Sequence, residues 1–343
     1  MKYLKLKEIA KLKNGKKCNY DVKGNIPVYG SNGIIGYTDN LNSPENSIII
    51  GRVGANAGSV FYSFKKHWVS DNAISVVPNI NKINSFYLYY ALYSLDLNRL
   101  VEGSAQPLLN QSILNSLEIR VPLLSVQNSI VEKIRAFDEK IAVNNQINDN
   151  LLDIAQNIYH RILFSSQITK TNLRSFATVV MGQSPSSKTY NKNKIGIPLL
   201  NGAADFRNGI HPSKWTTDPK IIVNKGAYIF GVRATIGLTA KVFKPYAIGR
   251  GTGSAIPKDV NNEEILYFIL NDMFKKFEQT ESGSVYINIS KNDFENYKFY
   301  IPDRNGLLFF HEKVKPIMDQ IYINKKQNKI LQAIKATLLS KIF

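Results

Sequence analysis

The sequence predicts an α+β fold in two pseudo-symmetric α/β halves, each closed by one of a pair of long antiparallel helices. Three observations carry this. The pattern of residues 103–162 returns without a gap at 283–342. In each half, short β-branched runs punctuated by Gly and Asn come first. In each half, a long stretch with apolar residues alternating three and four apart comes last, the mark of a coiled-coil helix.

The repeat is dense. Gly103-Ser104 returns as Gly283-Ser284, Pro122 as Pro302, and Glu132-Lys133-Ile134 as Glu312-Lys313-Val314. Ile141, Asn144, Asn148, Leu151, Ile154 and Ile162 return as Ile321, Asn324, Asn328, Leu331, Ile334 and Ile342. Two copies are too few for a solenoid. They point to a molecule with a pseudo-two-fold axis that does one kind of job at two places.

In the first half, strands are predicted at 47–50, 59–62, 74–77 and 117–121. Gly30-Ser31-Asn32-Gly33 and Gly54-Ala55-Asn56-Ala57-Gly58 read as turns. Phe86, Tyr89, Tyr90 and Tyr93 predict one helix over 86–97. In the second half, strands fall at 227–230, 238–243 and 297–301, and a helix at 263–277. Ser290-x-x-Asp293 is a capping box. Its counterpart Asn110 is also a good cap.

The first long helix, about 125–164, would span ~60 Å. Its seam runs Ile130, Ile134, Phe137, Ile141, Asn144, Asn148, Leu151, Ala155, Ile158 and Ile162. The second runs Phe310, Val314, Ile317, Ile321, Asn324, Asn328, Leu331, Leu338 and Ile342. Antiparallel pairing sets Ile130 against Ile342, Ile141 against Leu331, Asn144 against Asn328 and Asn148 against Asn324. The four Asn then form buried polar layers that fix register at some cost in stability; the alternative is a solvated Asn face. Two residues fit poorly: Lys335, which falls opposite Phe137, and Pro316, which predicts a kink or restart near Lys315-Pro316.

Of the 343 residues, 44% are hydrophobic and 20% charged, as in soluble globular proteins. No apolar run approaches the ~20 residues of a membrane span, and the N-terminal Lys residues argue against a signal peptide. A single cysteine, Cys18, cannot form an internal disulfide, which suits a reducing cytoplasm. The net charge of +18 favours a polyanionic partner, most often nucleic acid. Richness in Lys, Asn, Ile and Tyr is also what an AT-rich genome produces. Four scattered His and one Cys offer no metal-ligand spacing.

Catalytic signatures are missing from the sequence. There is no phosphate-binding loop, and Gly249-Arg250-Gly251-Thr252-Gly253 is not a dinucleotide fingerprint. There is no Asn/Asp-Pro-Pro-aromatic run of amino-methyltransferases. Pro302-Asp303 lacks the downstream acidic-x-Lys of a metal-dependent nuclease. The chain reads as a binder and scaffold.

Several runs are similar to those of one known family. Residues 26–36 (Ile-Pro-Val-Tyr-Gly-Ser-Asn-Gly-Ile-Ile-Gly) and 50–58 (Ile-Gly-Arg-Val-Gly-Ala-Asn-Ala-Gly) look like one recognition-domain type. Gly182-Gln183-Ser184-Pro185 with Tyr190-Asn191, then 200–206, 232–237 and 248–251, look like another. Gly-Ser closing each domain, then Val/Ile-Pro before each helix, is the usual junction. On these residues the chain resembles the specificity (S) subunit of Type I restriction-modification enzymes. One departure stands at the helix entry: Pro122-Leu123-Leu124…Gln127 and Pro302-Asp303-Arg304 replace the family's Pro-Leu-Pro…Glu-Gln.

The resemblance implies target-recognition domains at 1–122 and 167–302, separated by conserved long helices at 123–166 and 303–343 that pair as an antiparallel coiled coil. It implies a subunit without catalysis or cofactor of its own, bound to double-stranded DNA and not to membrane. It implies two adenine methyltransferase (M) subunits that bind S-adenosylmethionine, and ATP-driven translocase-nuclease (R) subunits. Other readings remain: an S-like DNA-binding scaffold of another defence complex, a repeat-built protein-interaction scaffold without DNA binding, or an enzyme with a divergent site.

Reading DNA needs phosphate contacts for position and base contacts for sequence. Candidates for the first are Lys16, Lys17, Arg52, Lys65, Lys66, Lys188, Lys192, Arg207, Arg233 and Arg250. Candidates for the second are Asn32, Asn56, Asn72, Gln106, Gln183, Tyr190, Asn191 and Tyr286, because amides pair with adenine and loops can present them. Many of these are also ordinary turn residues. The expected helix-pair core is Ile130, Ile134, Ile141, Asn144, Asn148, Leu151, Ile158, Val314, Ile321, Asn324, Asn328, Leu331, Leu338 and Ile342. Two unlike readers on one frame would recognise a split, asymmetric sequence.

Overall fold

The Ile-rich run at Ser47–Gly51 forms a strand buried on both faces, with Ile48, Ile49 and Ile50 wholly inaccessible. It is the centre of the first of two compact units. In the computed structural model, residues 2–21, 23–101, 108–207, 209–232, 237–280 and 290–343 are described. One unit comprises Met1–Asn144 with Lys326–Phe343; the other is Asn145–Lys325.

In the first unit, a ribbon of Lys2–Lys5 and Glu118–Val121 pairs antiparallel, with Leu4 opposite Ile119. A one-turn helix, Leu6–Ile9, drops Leu6 and Ile9 into the core. The main sheet is antiparallel, in the order Ala10–Asn14, Ala73–Pro78, Ser47–Gly51, Val60–Ser63. Helix Ser85–Ser94 covers one face and adds Tyr87, Leu88, Ala91 and Leu92 to the core of Ile48, Ile50, Ile74 and Val76. The side-chain oxygen of Asn84 starts this helix by accepting from the backbone N–H of Phe86 and Tyr87. Ile49, Val69 and Ala73 seal the other face, with Tyr29 and Phe61 beside them. A smaller sheet there has the order Gly33–Thr38, Ile26–Gly30, Trp68–Val69, its last pair parallel.

The second unit repeats this plan. Its ribbon is Ile168–Asn172 with Lys298–Pro302, and its one-turn helix is Leu173–Phe176. Its main sheet runs Ala177–Met181, Thr252–Pro257, Tyr228–Gly231, Thr239–Lys241, again antiparallel. The covering helix is Glu263–Thr280, and Phe230, Leu266, Ile269, Phe274 and Phe294 fill the core. Each such side chain contributes about 1.5–3 kcal/mol on burial. The smaller sheet has five strands, in the order Tyr190–Asn191, Lys214–Thr216, Ile197–Leu200, Tyr246–Ile248, Ile222–Val223. Helices Gln111–Ser116 and Lys291–Asn296 are counterparts, capped by Asn110 and Ser290.

The long helices are Leu124–Ser165 and Arg304–Ile342. The second is continuous through Pro316, so the restart expected there does not occur. Pro316 is exposed, so the carbonyl it leaves unpaired is open to water, while buried Val314 and half-buried Ile317 anchor the flanking turns. The helix predicted over 86–97 ends at Ser94. Asp96 then takes φ 47°, a left-handed conformation that breaks it from the 3-10 turn Leu97–Leu100.

Candidate nucleic-acid interface

The main sheet of each unit has one end where several loops meet, and glycines set how closely. In the first unit, a Cβ on Gly15 would stand 2.0 Å from the Ser70 carbonyl oxygen. The backbone N–H of Gly15 donates to Ala73 O at 3.0 Å and that of Lys16 to Val69 O at 2.9 Å. Ser31 Oγ donates to Asn72 O at 2.6 Å and accepts from the N–H of Arg52 and Val53. A Cβ on Gly51 would meet Asn56 O at 2.5 Å. This end therefore gathers Lys16, Lys17, Asn32, Arg52, Asn56 and Asn72. All are exposed or half-buried; Arg52 is half-buried, and its Nε has no partner among the described residues. A cleft of about 500 Å³ opens beside Lys17, Cys18, Asn19, Tyr20, Asp71 and Asn72. Burial, and then the Asp71 carboxylate, push the Cys18 thiol up, away from thiolate chemistry.

The same end of the second unit has the same backbone. A Cβ on Gly182 would stand 2.1 Å from Gly249 O. Gly182 N–H donates to Thr252 O at 2.8 Å and Gln183 N–H to Ile248 O at 3.1 Å. Arg250 and Gln183 are both exposed here, and Ser184 Oγ accepts from the Arg250 N–H. Exposed Arg207 lies on a loop that starts from this end. Buried Asp205 closes that loop, accepting from the Asn201 N–H and from Ser213.

Other predicted residues lie elsewhere. Lys65 and Lys66 follow Val60–Ser63, and so sit at the opposite end of the first main sheet. Lys188, Tyr190, Asn191 and Lys192 belong to the outer strand of the five-stranded sheet and its flanks. Tyr190 donates its hydroxyl to Pro185 O and its ring lies under Lys214. Asn191 spends both ends of its amide closing a turn onto Ile195. Gln106, Arg233 and Tyr286 lie outside the described residues, as do Gly103-Ser104 and Gly283-Ser284. Sequence reading passed over Ser31, Asn201 and Asp205, which hold these loops. Ser31 lies in the 26–36 run and Asn201 and Asp205 in the 200–206 run, which read as family-like stretches without a role for these side chains.

Within the first unit the long helices pack antiparallel. Asn144 donates to Asn328 Oδ1 and to Gln327 Oε1, both at 2.8 Å. Lys335, which the sequence pairing set opposite Phe137, bonds Asp138 at 2.5 Å and lies over the Tyr90 ring. Tyr90 also donates to Asp138, at 2.7 Å. Ile130, Ile134, Leu339 and Ile342 share one cluster, with Leu339 rather than Leu338 the buried member. Ile141 and Leu331 are half-buried. Within the second unit, Asn324 donates to Asn148 Oδ1 at 2.9 Å. Val314 and Ile321 are buried, Leu151 and Ile158 half-buried. All four Asn are buried.

Residues 1–153 and 166–337 match the family described as Type I restriction modification DNA specificity domain. The chain belongs to this family. A Type I restriction enzyme MjaX specificity subunit of Methanocaldococcus jannaschii is 28% identical over 299 residues, covering 78% of this chain and 69% of that protein. The MjaVIII specificity subunit of the same organism is 22% identical over 335 residues, covering 86% and 78%. The crystal structure of a Type I restriction-modification S subunit from M. genitalium aligns over 100% of this chain and 96% of its own, with a TM-score of 0.66 at 17% identity. That similarity shows the fold.

Membership of the specificity family puts the odd helix entries in context. Gln127 is wholly buried; its Oε1 accepts from the Asn84 N–H and its Nε2 donates to Pro122 O. Asp303 Oδ1 accepts from the Gly306 N–H at 2.9 Å, in the manner of an N-cap. Asp303 thus caps the second helix, whereas Gln127 ties the start of the first to Asn84 and Pro122. Among the described residues, no cluster of His, Cys, Asp and Glu could hold a metal, and no helix is long and apolar enough to cross a membrane.

Proposed function

We propose that the loop-bearing end of each main sheet is where this specificity subunit reads DNA, one unit to each part of a split, asymmetric target. One observation carries the reading: the same backbone arrangement recurs in both units and presents different side chains. Lys16, Lys17, Arg52 and Arg250 supply positive charge for phosphates, and Asn32, Asn56, Asn72 and Gln183 supply amides for base edges. Lys65 and Lys66 take no part in this surface. Asn191, with its amide closed on Ile195, positions a loop instead of reading a base.

In this reading the chain contributes recognition and scaffolding. Two adenine methyltransferase subunits with S-adenosylmethionine supply methyl transfer, and ATP-driven translocase-nuclease subunits supply cleavage. The test is single-molecule sequencing of plasmid DNA from cells co-expressing the chain with its methyltransferase partner. Methylated adenines in one two-part motif support the reading. Copurifying proteins that neither bind nor methylate DNA would sink it.

A further inference from the structure

We infer that Asp71 and Arg250 are equivalent base-reading positions with opposite chemistry: Asp71 selects a cytosine in one part of the target and Arg250 a guanine in the other. This rests on the DNA-reading proposal above, and it moves Arg250 from a phosphate to a base edge.

The equivalence comes from hydrogen bonds. Ser70-Asp71-Asn72-Ala73 is a tight turn closed by Ala73 N–H to Ser70 O at 3.0 Å. Gly249-Arg250-Gly251-Thr252 is closed by Thr252 N–H to Gly249 O at 2.9 Å. Ser70 N–H donates to Tyr29 O, and Gly249 N–H to Leu200 O, both at 2.9 Å. Arg52 N–H donates to Asn72 O, and Val232 N–H to Gly251 O. Gly15 and Gly182 approach the turn carbonyls of Ser70 and Gly249 in the same way. Asp71 and Arg250 therefore hold the same place, second in a turn that the rest of the edge clamps.

Their side chains are not used by the fold. Asp71 is half-buried at the cleft, Arg250 is exposed, and neither side chain has an ion pair or hydrogen bond among the described residues. An uncommitted carboxylate on a basic surface that meets phosphates is unfavourable unless it accepts hydrogen bonds from the ligand. In the major groove, cytosine offers a lone N4 amine, whereas adenine sets the N7 acceptor beside its amine and repels a carboxylate. Arg at the same place offers two donors to guanine O6 and N7.

The experiment compares the methylated motifs left by wild-type, Asp71→Asn and Arg250→Gln chains, each co-expressed with the methyltransferase partner. Asn and Gln pair with adenine, so D71N should broaden or shift one C·G position toward A·T in one part of the motif. R250Q should do so at one G·C position in the other part. Purified wild-type complex should bind duplexes altered at those positions about ten-fold or more weakly, and the matching variant should lose that discrimination. An unchanged motif in either variant overturns the inference while the DNA-reading proposal stands. So does uniform weakening on all sequences in a complex that still copurifies and melts normally, since that marks a phosphate contact. If even the wild-type complex neither binds nor methylates DNA, the underlying proposal falls, and this one with it.

Discussion

Lys16 and Lys65 differ by their place on one sheet, and the difference is measurable. Lys16→Ala or Lys17→Ala should weaken binding to all DNA sequences alike and lower the slope of log affinity against log salt by about one. Lys65→Ala and Lys66→Ala should leave that slope unchanged; an equal drop would put the interface elsewhere. Gly15→Ala drives a Cβ into Ser70 O and Val69 O, so the backbone must shift. A loss of about 1–3 kcal/mol is expected in urea unfolding. Tyr89 makes a pH prediction. Burial, then the charge of Asp138, push its hydroxyl up to about 12. The neutral form is what the fold favours, so its contribution is complete below pH 10 and is lost as pH rises toward 12. Unfolding midpoints followed across that interval should fall, and fall less in Tyr89→Phe.

The long helices and their polar pairs were largely legible in the sequence, because a three-four alternation sustained over many turns fits a helical seam and no strand. The caps at Asn110 and Ser290 were legible for the same kind of reason: a cap is a local device. The small-sheet strands were not, since runs as short as Trp68–Val69 and Tyr246–Ile248 draw their structure from neighbours far along the chain. The restart read from Pro316 does not occur, because one missing donor on an exposed face does not outweigh the buried Val314 and half-buried Ile317 on either side. The Asn pairs test the energetics. Asn328→Ala leaves part of the buried Asn144 amide unpaired and should cost about 1–3 kcal/mol. Replacing Asn144 and Asn328 together by Leu should restore most of that loss. A double-mutant cycle in urea measures the coupling; no recovery would mean that Gln327, the other acceptor, matters more.

The duplication extends over nearly the whole chain, yet residue by residue only the last third of each copy could be aligned without the structure. Gly15 corresponds to Gly182 and Ser70 to Gly249, and loop-length differences make these separations unequal to that of Asn110 and Ser290. An ungapped comparison therefore loses the repeat where the loops begin, and with it the pairing of Asp71 with Arg250. The division between units falls inside both long helices. Adding one turn to both at that point lengthens each by ~5.4 Å. If the helices set the distance between the two parts of the target, sequencing of the methylated motif should then show an unread spacer longer by one or two base pairs, at ~3.4 Å per step; an unchanged spacer would show that they do not. The same division dictates an order of events during synthesis. The second unit is one uninterrupted stretch, so it can fold as soon as Lys325 has emerged. The first begins to form earlier but lacks Leu339, Ile342 and Phe343, the side chains that pack on Ile134, Tyr90 and Tyr87. The half translated first is thus the half completed last, because Ile134, Tyr90 and Tyr87 lack these packing partners until Lys326–Phe343 has been made.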